Sequence, residues 1–192
     1  INSTAELKRH SDVCVTSANA VQIVKALPNQ YIFFIPDRNL AHYVAGLVPE
    51  KTFVYNEGYC PTHERMQTEE IRRAKEMHPQ AEVLSHPECP QAVLAMSDYI
   101  GSTTGIINYA KKSDAKEFII CTEIGVRYQL QQDNPQKKFY FTETEPVCPD
   151  MKRITLEKIL HVLKTGDNEV QVDTGLREES RKPLERMLEL AK

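Results

Sequence analysis

Tyr31-Ile-Phe-Phe-Ile-Pro-Asp37 and Glu117-Phe-Ile-Ile-Cys-Thr-Glu123 are two copies of one pattern, an apolar run that leads to a carboxylate. Asp12-Val-Cys-Val-Thr-Ser17 and Asp98-Tyr-Ile-Gly-Ser-Thr103 are a second pair, and both pairs have the same spacing of 86 residues (123 − 37 and 98 − 12). A continuous apolar run is typical of a strand that is buried on both faces. Repetition at a fixed distance indicates a structure that is duplicated within the chain.

Strands and helices alternate along both copies. In the first copy the patterns predict strands over 12–16, 31–35 and 52–55, and helices over 20–27 and 39–46. In the second copy they predict strands over 82–85, 99–101, 118–121 and 138–141, and helices over 68–78, 90–96, 104–112 and 125–132. Such alternation with short connections favours parallel sheets with right-handed crossovers. We therefore predict an α/β fold of repeated three-layer α/β/α sandwich units with short parallel sheets.

The frame of the duplication divides the chain into three parts. Residues 1–66 are predicted to form one repeat, residues 67–151 the next, and residues 152–192 a helical extension with helices over 155–164 and 176–190. The strand and helix predicted within 68–85 have no counterpart before Ile1, so we expect the first repeat to lack its opening strand and helix. Pro183 is expected to kink or end the last helix.

Composition argues against several classes of function. The net charge of the 192 residues is −3 and no basic run occurs, so binding to nucleic acid or to a membrane surface is not expected. No apolar run approaches the roughly 18 residues of a membrane span. The five cysteines are an odd number without a CxxC pair, which argues against a disulfide framework and against a zinc ribbon. Because no secretory signal is present, we expect reduced thiols in a cytoplasmic protein.

Two cysteines occupy matching places in the duplication. Cys60 and Cys148 each follow the last strand of a copy and precede a proline, after a two-residue insertion in the second copy. A cysteine taken singly is most often a small buried hydrophobe, and we interpret Cys14, Cys89 and Cys121 in this way. The equivalence of Cys60 and Cys148 favours a ligand role at one shared centre.

Polar residues follow several of the predicted strands, at the sheet edge where ligands bind. Ser17 and Thr103 match under the duplication. They are either helix N-caps alone or caps that also help to hold an anion at a helix start. Asp37 and Glu123 also match, and we interpret them as capping or pairing groups.

A second group of candidates contains two histidines. His86 and Glu88 lie two residues apart after a predicted strand, so their side chains point the same way if the backbone is extended. This arrangement suits general acid–base chemistry, although a surface turn has the same pattern. His63 follows Cys60 by three residues and is either a surface residue or a neighbour of a metal ligand. Asn2 lies opposite Glu88 in the duplication.

Seven short motifs occur in order along the chain and together closely resemble the quinolinate synthase family. They are Asn2-Ser-Thr-Ala-Glu6, Val15-Thr-Ser-Ala-Asn-Ala20, Pro36-Asp-Arg-Asn-Leu-Ala41, Cys60-Pro-Thr-His63, His86-Pro-Glu-Cys89, Ser102-Thr-Thr-Gly105 and Cys148-Pro-Asp-Met151. The resemblance implies three homologous α/β domains around a pseudo-threefold axis, of which about two are present here. By this resemblance the chain lacks the first domain, and we expect it to be a fragment that is inactive alone.

The resemblance also implies a cofactor and a reaction. Each domain of the family contributes one cysteine to a [4Fe–4S] cluster, so Cys60 and Cys148 are expected to be two of three ligands. One iron of the cluster has an open position and acts as a Lewis acid. The family condenses iminoaspartate (iminosuccinate) with dihydroxyacetone phosphate to quinolinate in NAD biosynthesis. L-aspartate oxidase or aspartate dehydrogenase is an expected upstream partner.

Roles for individual residues follow from the same motifs. By resemblance, the substrate is bound by Asn2, Ser17, His86, Glu88 and Thr103. Glu88, together with His86 or His63, is expected to move protons, and His63 to lie near the cluster. Two alternatives stay open at this point: another three-cysteine [4Fe–4S] enzyme of similar architecture, and a non-catalytic α/β module that binds an anion.

Overall fold

The computed structural model describes all residues from Ile1 to Lys192. In chain order the elements are α1 (Ala5–Arg9), α2 (Ala20–Ala26), β1 (Tyr31–Phe34), α3 (Arg38–Leu47), β2 (Thr52–Tyr55), α4 (Pro61–Glu64), α5 (Thr68–Met77), β3 (Glu82–Ser85), α6 (Gln91–Leu94), β4 (Tyr99–Ile100), α7 (Thr103–Lys112), β5 (Glu117–Cys121), α8 (Val126–Asp133), β6 (Lys138–Phe141), α9 (Leu156–Thr165) and α10 (Thr174–Leu190). The chain forms two compact units. The larger is Val15–Val147, and the smaller combines Ile1–Cys14 with Cys148–Lys192.

Both sheets of the larger unit are parallel. One consists of β1 and β2, and the other has the order β4-β3-β5-β6. Tyr31 is aligned with Thr52 in the first sheet, and Glu117 with Lys138 in the second. Each residue of the second pair lies 86 positions after its counterpart in the first (117 − 31 and 138 − 52). The duplication read from the sequence is therefore repeated in the register of the strands.

Helices cover both faces of the four-stranded sheet. Side chains of β3 and β5 pack against α5 and α6 on one face and against α7 and α8 on the other. The first cluster includes Ile71, Ala74, Val83, Val93, Ile119 and Cys121, and the second includes Leu84, Ile106, Ala110, Phe118, Ile120 and Leu130. This arrangement confirms the predicted α/β class with short parallel sheets, and it explains why β3 and β5 are apolar at successive positions.

Residues 12–16 do not form the predicted strand. In the second copy the matching strand, β4, pairs with β3, and the first copy contains no strand equivalent to β3. The backbone of the segment has other partners. The N–H of Cys14 donates to the carbonyl of Pro183 at 3.0 Å, and that of Thr16 donates to the side chain of Asn19 at 2.7 Å. β-branched residues form a strand only where a neighbour completes the ladder.

β1 is buried on one face, although its sequence predicts burial on both. Tyr31 and Phe33 are 72% and 66% exposed, whereas Ile32 and Phe34 are buried. β1 lies in a sheet of two strands, so its burial alternates as in any strand with one covered face. An apolar run alone does not reveal how many layers will cover it.

The smaller unit is built around contacts between α1 and α10. Arg9 of α1 forms an ion pair with Glu179 of α10 at 2.5 Å. α10 continues through Pro183, so Pro183 does not end the helix, which was one of the two outcomes predicted from the sequence. On α9 the apolar face is exposed, with Leu156 and Leu163 being 81% and 79% accessible. None of the helices combines the length and the apolar character that a membrane crossing requires.

Candidate functional site

The loop after β2 brings Cys60 to the start of α4. The carboxylate of Asp37 accepts two backbone N–H bonds, one from Leu40 at the start of α3 and one from Cys60, each at 2.8 Å. Gly58, in the same loop, lies so close to the carbonyl oxygen of Pro36 that any side chain there would clash. One carboxylate therefore fixes both the start of α3 and the cysteine loop, which is the structural role that the sequence predicts for Asp37.

His63 is buried in α4 and makes polar contacts through both ring nitrogens. Its Nδ1 lies 3.1 Å from the sulfur of Cys60 and 3.1 Å from a carboxylate oxygen of Glu88. Its Nε2 lies 3.1 Å from the hydroxyl of Thr122. Glu88 follows β3 and Thr122 follows β5, and these neighbouring strands are parallel. The carboxyl ends of two strands and the loop after β2 thus converge on one imidazole.

His86 lies directly after β3 and stacks on His63, with the ring centroids 4.5 Å apart and the planes 17° from parallel. The backbone N–H of Glu88 donates to Nδ1 of His86 at 3.3 Å. Since Nδ1 accepts this bond, Nε2 carries the hydrogen of the neutral ring and donates to the hydroxyl of Ser17 at 3.2 Å. Ser17 is therefore held in place as an acceptor and keeps its own hydroxyl hydrogen for another partner.

The two stacked histidines have opposite shifts of their pKa values. Burial by itself lowers the pKa of His63, but the hydrogen bonds and electrostatic interactions with Cys60 and Glu88 raise it from 6.5 to about 9. Burial and the nearby charge of His63 lower the pKa of His86 from 6.5 to about 4, against a smaller opposing effect of Glu88. At neutral pH the site thus holds one charged and one neutral imidazole.

Glu88 is ionised beside these rings, with its carboxylate 3.1 Å from His63 and 3.8 Å from His86. Burial alone would raise its pKa, but the hydrogen bond from His63 and the electrostatic interactions with both histidines lower it below the ordinary value. Protonated His63, a proton donor, thus lies 3.1 Å from the ionised carboxylate of Glu88, a proton acceptor. Titratable groups in one environment whose pKa values move apart are typical of acid–base sites.

Asn39 supports the site and was not singled out from the sequence. Its buried amide donates to the backbone carbonyl of Glu88 at 3.0 Å and to the carboxylate of Glu64 at 2.7 Å. Glu64 also pairs with Arg38 at 2.5 Å. Thr122 was missed as well, although its position directly after a buried strand was a usable signal.

The structure brings together five of the candidates predicted from the sequence. They are Ser17, Cys60, His63, His86 and Glu88. Thr103 is exposed as the first residue of α7, where Ser102 rather than Thr103 caps the helix. Asn2 and Cys148 belong to the smaller unit, where Asn2 is exposed and Cys148 is half-buried. Glu123 caps its own turn by accepting the N–H of Gly125 at 2.6 Å.

Cys60 and Cys148 are the two thiols that are not fully buried. Burial raises the pKa of Cys121 to about 12, and burial together with Cys121 raises the pKa of Cys89. Cys14 is buried as well, so these three cysteines fit the packing role predicted for them. Metals bind the thiolate rather than the thiol, so the donor chemistry of Cys60 and Cys148 fits the iron of an iron–sulfur cluster better than that of the buried cysteines.

The fold and the site together define a duplicated α/β protein in which strand ends bring a thiol together with two histidines and a carboxylate. The chain belongs to the family described as Quinolinate synthetase A protein, whose family model matches residues 1–189.

Individual relatives agree with this assignment. The chain is 46% identical over 191 residues to the quinolinate synthase of Caldicellulosiruptor saccharolyticus. The matched region covers 100% of this chain and 63% of that protein. It is 46% identical over 188 residues to the quinolinate synthase of Geotalea uraniireducens, covering 98% of this chain and 62% of that protein. With the enzyme of the same name from Clostridioides difficile the identity is 44% over 191 residues, with coverage of 100% and 63%. The chain thus spans about 63% of the length of the curated relatives it matches.

Proposed function

We propose that this chain is the part of a quinolinate synthase that supplies two cysteine ligands of a [4Fe–4S] cluster and the acid–base group of the reaction. The substrates are iminoaspartate and dihydroxyacetone phosphate. The products are quinolinate, phosphate and two molecules of water, which balances the atoms of the condensation. The observation that carries the proposal is the continuous contact from Cys60 through His63 and Glu88 to His86 and Ser17.

The charge states of the three titratable groups suggest their roles. Condensation and two dehydrations require that protons be removed from carbon and nitrogen and delivered to departing oxygens. His63 is protonated at neutral pH and can deliver a proton, because its pKa is raised to about 9. Glu88 is ionised, with a lowered pKa, and can accept one. His86 is neutral and donates a hydrogen bond to Ser17, which makes it a positioning group for this hydroxyl.

Cys60 and Cys148 would hold the cluster, with a third cysteine supplied from outside residues 1–192. When bound, the cluster would supply a Lewis acid at an iron with an open coordination position. The loop of Cys60 is fixed by the bond from its N–H to Asp37 at 2.8 Å. This bond would hold the sulfur in place before the cluster binds, which favours preorganised ligation.

The substrates are anionic, and three further residues are proposed to bind them. Ser17 has a hydroxyl hydrogen directed away from His86 and can donate it to a carboxylate or a phosphate. Thr103 lies at the start of the ten-residue helix α7, where free N–H groups favour an anion. Asn2 is proposed from the family motif alone. Iminoaspartate would come from an enzyme that oxidises aspartate, such as L-aspartate oxidase or aspartate dehydrogenase.

Anaerobic reconstitution of the full-length protein with iron and sulfide tests the proposal. We expect a [4Fe–4S] absorption and electron paramagnetic resonance signature and the formation of quinolinate from the two substrates. Cys60→Ala and Cys148→Ala should each abolish the signature, whereas Cys121→Ala, which removes a buried thiol, should keep it. A full cluster in both Cys60→Ala and Cys148→Ala, or the lack of quinolinate from reconstituted protein, would overturn the proposal.

A further inference from the structure

Three potential metal ligands in the larger unit meet at one point without Cys148. The sulfur of Cys60, Nδ1 of His63 and a carboxylate oxygen of Glu88 all lie within 4.8 Å of one another. Nδ1 is the central atom, at 3.1 Å from both of the others. We infer that these three residues bind a single divalent transition-metal ion of the Zn²⁺ class, at a mononuclear site distinct from an iron–sulfur cluster.

The two distances from Nδ1 of His63 are close to those of tetrahedral coordination, and the Cys60 sulfur lies within 4.8 Å of the Glu88 oxygen. Zinc bonds of about 2.0–2.3 Å at a tetrahedral angle place neighbouring donor atoms roughly 3.3–3.6 Å apart. The two distances of 3.1 Å from Nδ1 of His63 therefore need to widen by only a few tenths of an ångström. Cys60 and Glu88 are both half-buried, so rotation of their side chains can supply this change.

The surroundings of His63 orient the ring for ligation. A histidine that binds a metal through one nitrogen usually donates the hydrogen of the other to a neighbouring oxygen. Nε2 of His63 lies 3.1 Å from the hydroxyl of Thr122, and both residues are buried. This bond and the stack on His86 direct Nδ1 toward Cys60 and Glu88.

The set of donors selects the class of ion. A thiolate, an imidazole and a carboxylate are the ligands of Zn²⁺, Co²⁺ and Fe²⁺, whereas Mg²⁺ and Ca²⁺ take oxygen ligands. His86 does not join the set, because its Nδ1 accepts the N–H of Glu88 and its Nε2 contacts Ser17. Three protein ligands leave a fourth position for water or for a ligand group.

If the chain binds the cluster as in the proposed function, the single metal ion and the cluster compete for Cys60. Cys60 is a ligand in both cases, so the mononuclear ion and the cluster cannot bind together. An ion of the Zn²⁺ class would therefore block assembly of the cluster at the larger unit.

Cobalt titration of the metal-free chain under reducing, anaerobic conditions tests the inference. We expect one Co²⁺ per chain, with a near-ultraviolet thiolate-to-cobalt absorption band and the visible bands of tetrahedral cobalt, both removed by added Zn²⁺. Cys60→Ala should lose the thiolate band, and Thr122→Val should weaken binding by about 10- to 100-fold. His63→Gln should lower the affinity at least as much. The matched control is Cys148→Ala, which should keep the band and the affinity.

Several results would overturn the inference. The first is the absence of a thiolate band in a chain that circular dichroism shows to be folded. The second is a band that is lost in Cys148→Ala as completely as in Cys60→Ala. A band that persists in Cys60→Ala would do so as well. These outcomes are distinguishable from a failure of the proposed function, because cluster assembly in the full-length protein needs both Cys60 and Cys148 whereas the mononuclear site needs Cys60 alone.

Discussion

The contact of His63 with Cys60 and Glu88 sets the charge of the site at the scale of single residues. His63 is protonated because two acceptors face its Nδ1, and burial together with this positive charge keeps its stacked neighbour His86 neutral. The protonation of His86 thus depends on His63, whereas that of His63 depends on Cys60 and Glu88. The arrangement differs from a pair of independent surface histidines, both of which would titrate near pH 6.5.

This coupling predicts opposite effects of the two histidines on stability. The pKa of His63 is raised from 6.5 to about 9, so its contribution to the free energy of unfolding is complete below pH 6.5 and is lost as the pH rises through 9. The pKa of His86 is lowered to about 4, so the unfolded chain takes up a proton first and stability falls as the pH drops from 6.5 to 4. Each effect amounts to at most about 3 kcal/mol.

Urea unfolding at pH 4.5, 6.5 and 9 measures both effects. Relative to the unmodified chain, His63→Gln should flatten the loss of stability between pH 6.5 and 9. His86→Gln should flatten the loss between pH 6.5 and 4.5. Curves that stay parallel to those of the unmodified chain in both variants would show that the site does not hold these charge states.

The candidates predicted from the sequence include the side chains that meet at the site, but not the residues that position them. His63, His86, Glu88 and Cys60 stand in short motifs at strand ends, and such positions can be read directly. Asn39 and Thr122 touch Glu88 and His63 from distant parts of the chain. Their roles depend on which strand lies beside which, and this information is not contained in local spacing.

At the scale of elements, Asp37 joins two pieces of structure. Its carboxylate caps α3 through Leu40 and also holds the N–H of Cys60. Ser102 is a simpler cap, because its hydroxyl accepts only the N–H of Gly105, at 3.1 Å, at the start of α7. A comparison of Asp37 with Ser102 therefore separates the contribution of the bond from Cys60 to stability from the contribution of helix capping.

Replacement of these two caps should therefore have unequal effects. We expect Ser102→Ala to cost about 1 kcal/mol, the usual value of a cap, and Asp37→Ala about 2–3 kcal/mol, since a second bond and a buried N–H are affected. Asp37→Ala should also increase hydrogen exchange at the N–H of Cys60, whereas Ser102→Ala should not. Equal losses of stability, with no change in exchange at Cys60, would show that Asp37 only caps α3.

Strand predictions were right where a neighbouring strand exists. β2, β3 and β6 have the predicted bounds, and β5 begins one residue earlier than predicted. The segment 12–16 has the same apolar character but lacks a partner strand, so its backbone bonds to Pro183 and Asn19 instead. A segment forms a strand only when a neighbouring strand is present to pair with it, and the apolar pattern of one segment does not show whether such a neighbour exists.

At the scale of the whole molecule, stability should be concentrated around β3 and β5. Leu84 is completely buried between β5 and the helices α7 and α8, whereas Leu163 of α9 is 79% exposed. We expect Leu84→Ala to cost about 2–5 kcal/mol, as is usual for a buried leucine. Leu163→Ala should change the free energy of unfolding by less than about 0.5 kcal/mol. Thermal or urea unfolding checks both, and similar losses would show that α9 is as well packed as the sheet.

The duplication was the feature of the whole molecule that the sequence predicted most completely. Its spacing of 86 residues recurs in the pairing of Tyr31 with Thr52 and of Glu117 with Lys138. The number of helix layers on each sheet did not follow from the duplication. Tyr31 and Phe33 are exposed in a two-stranded sheet, whereas the four-stranded sheet that contains β5 has helices on both faces. Whether a sheet face is buried depends on which helices pack against it, and the duplicated sequence shows only which segments are repeated.

We propose that Glu88, which lies 3.1 Å from His63 and 3.8 Å from His86, moves protons in the formation of quinolinate. The most direct test of this proposal is the rate of quinolinate formation by reconstituted full-length protein carrying Glu88→Gln. The control is Glu117→Gln, which removes a carboxylate paired with Lys138 outside the site. With equal iron content in both, we expect Glu88→Gln to lower turnover at least about 100-fold, the usual effect of losing a general acid or base, and Glu117→Gln to leave it unchanged. Normal turnover in Glu88→Gln would contradict the account.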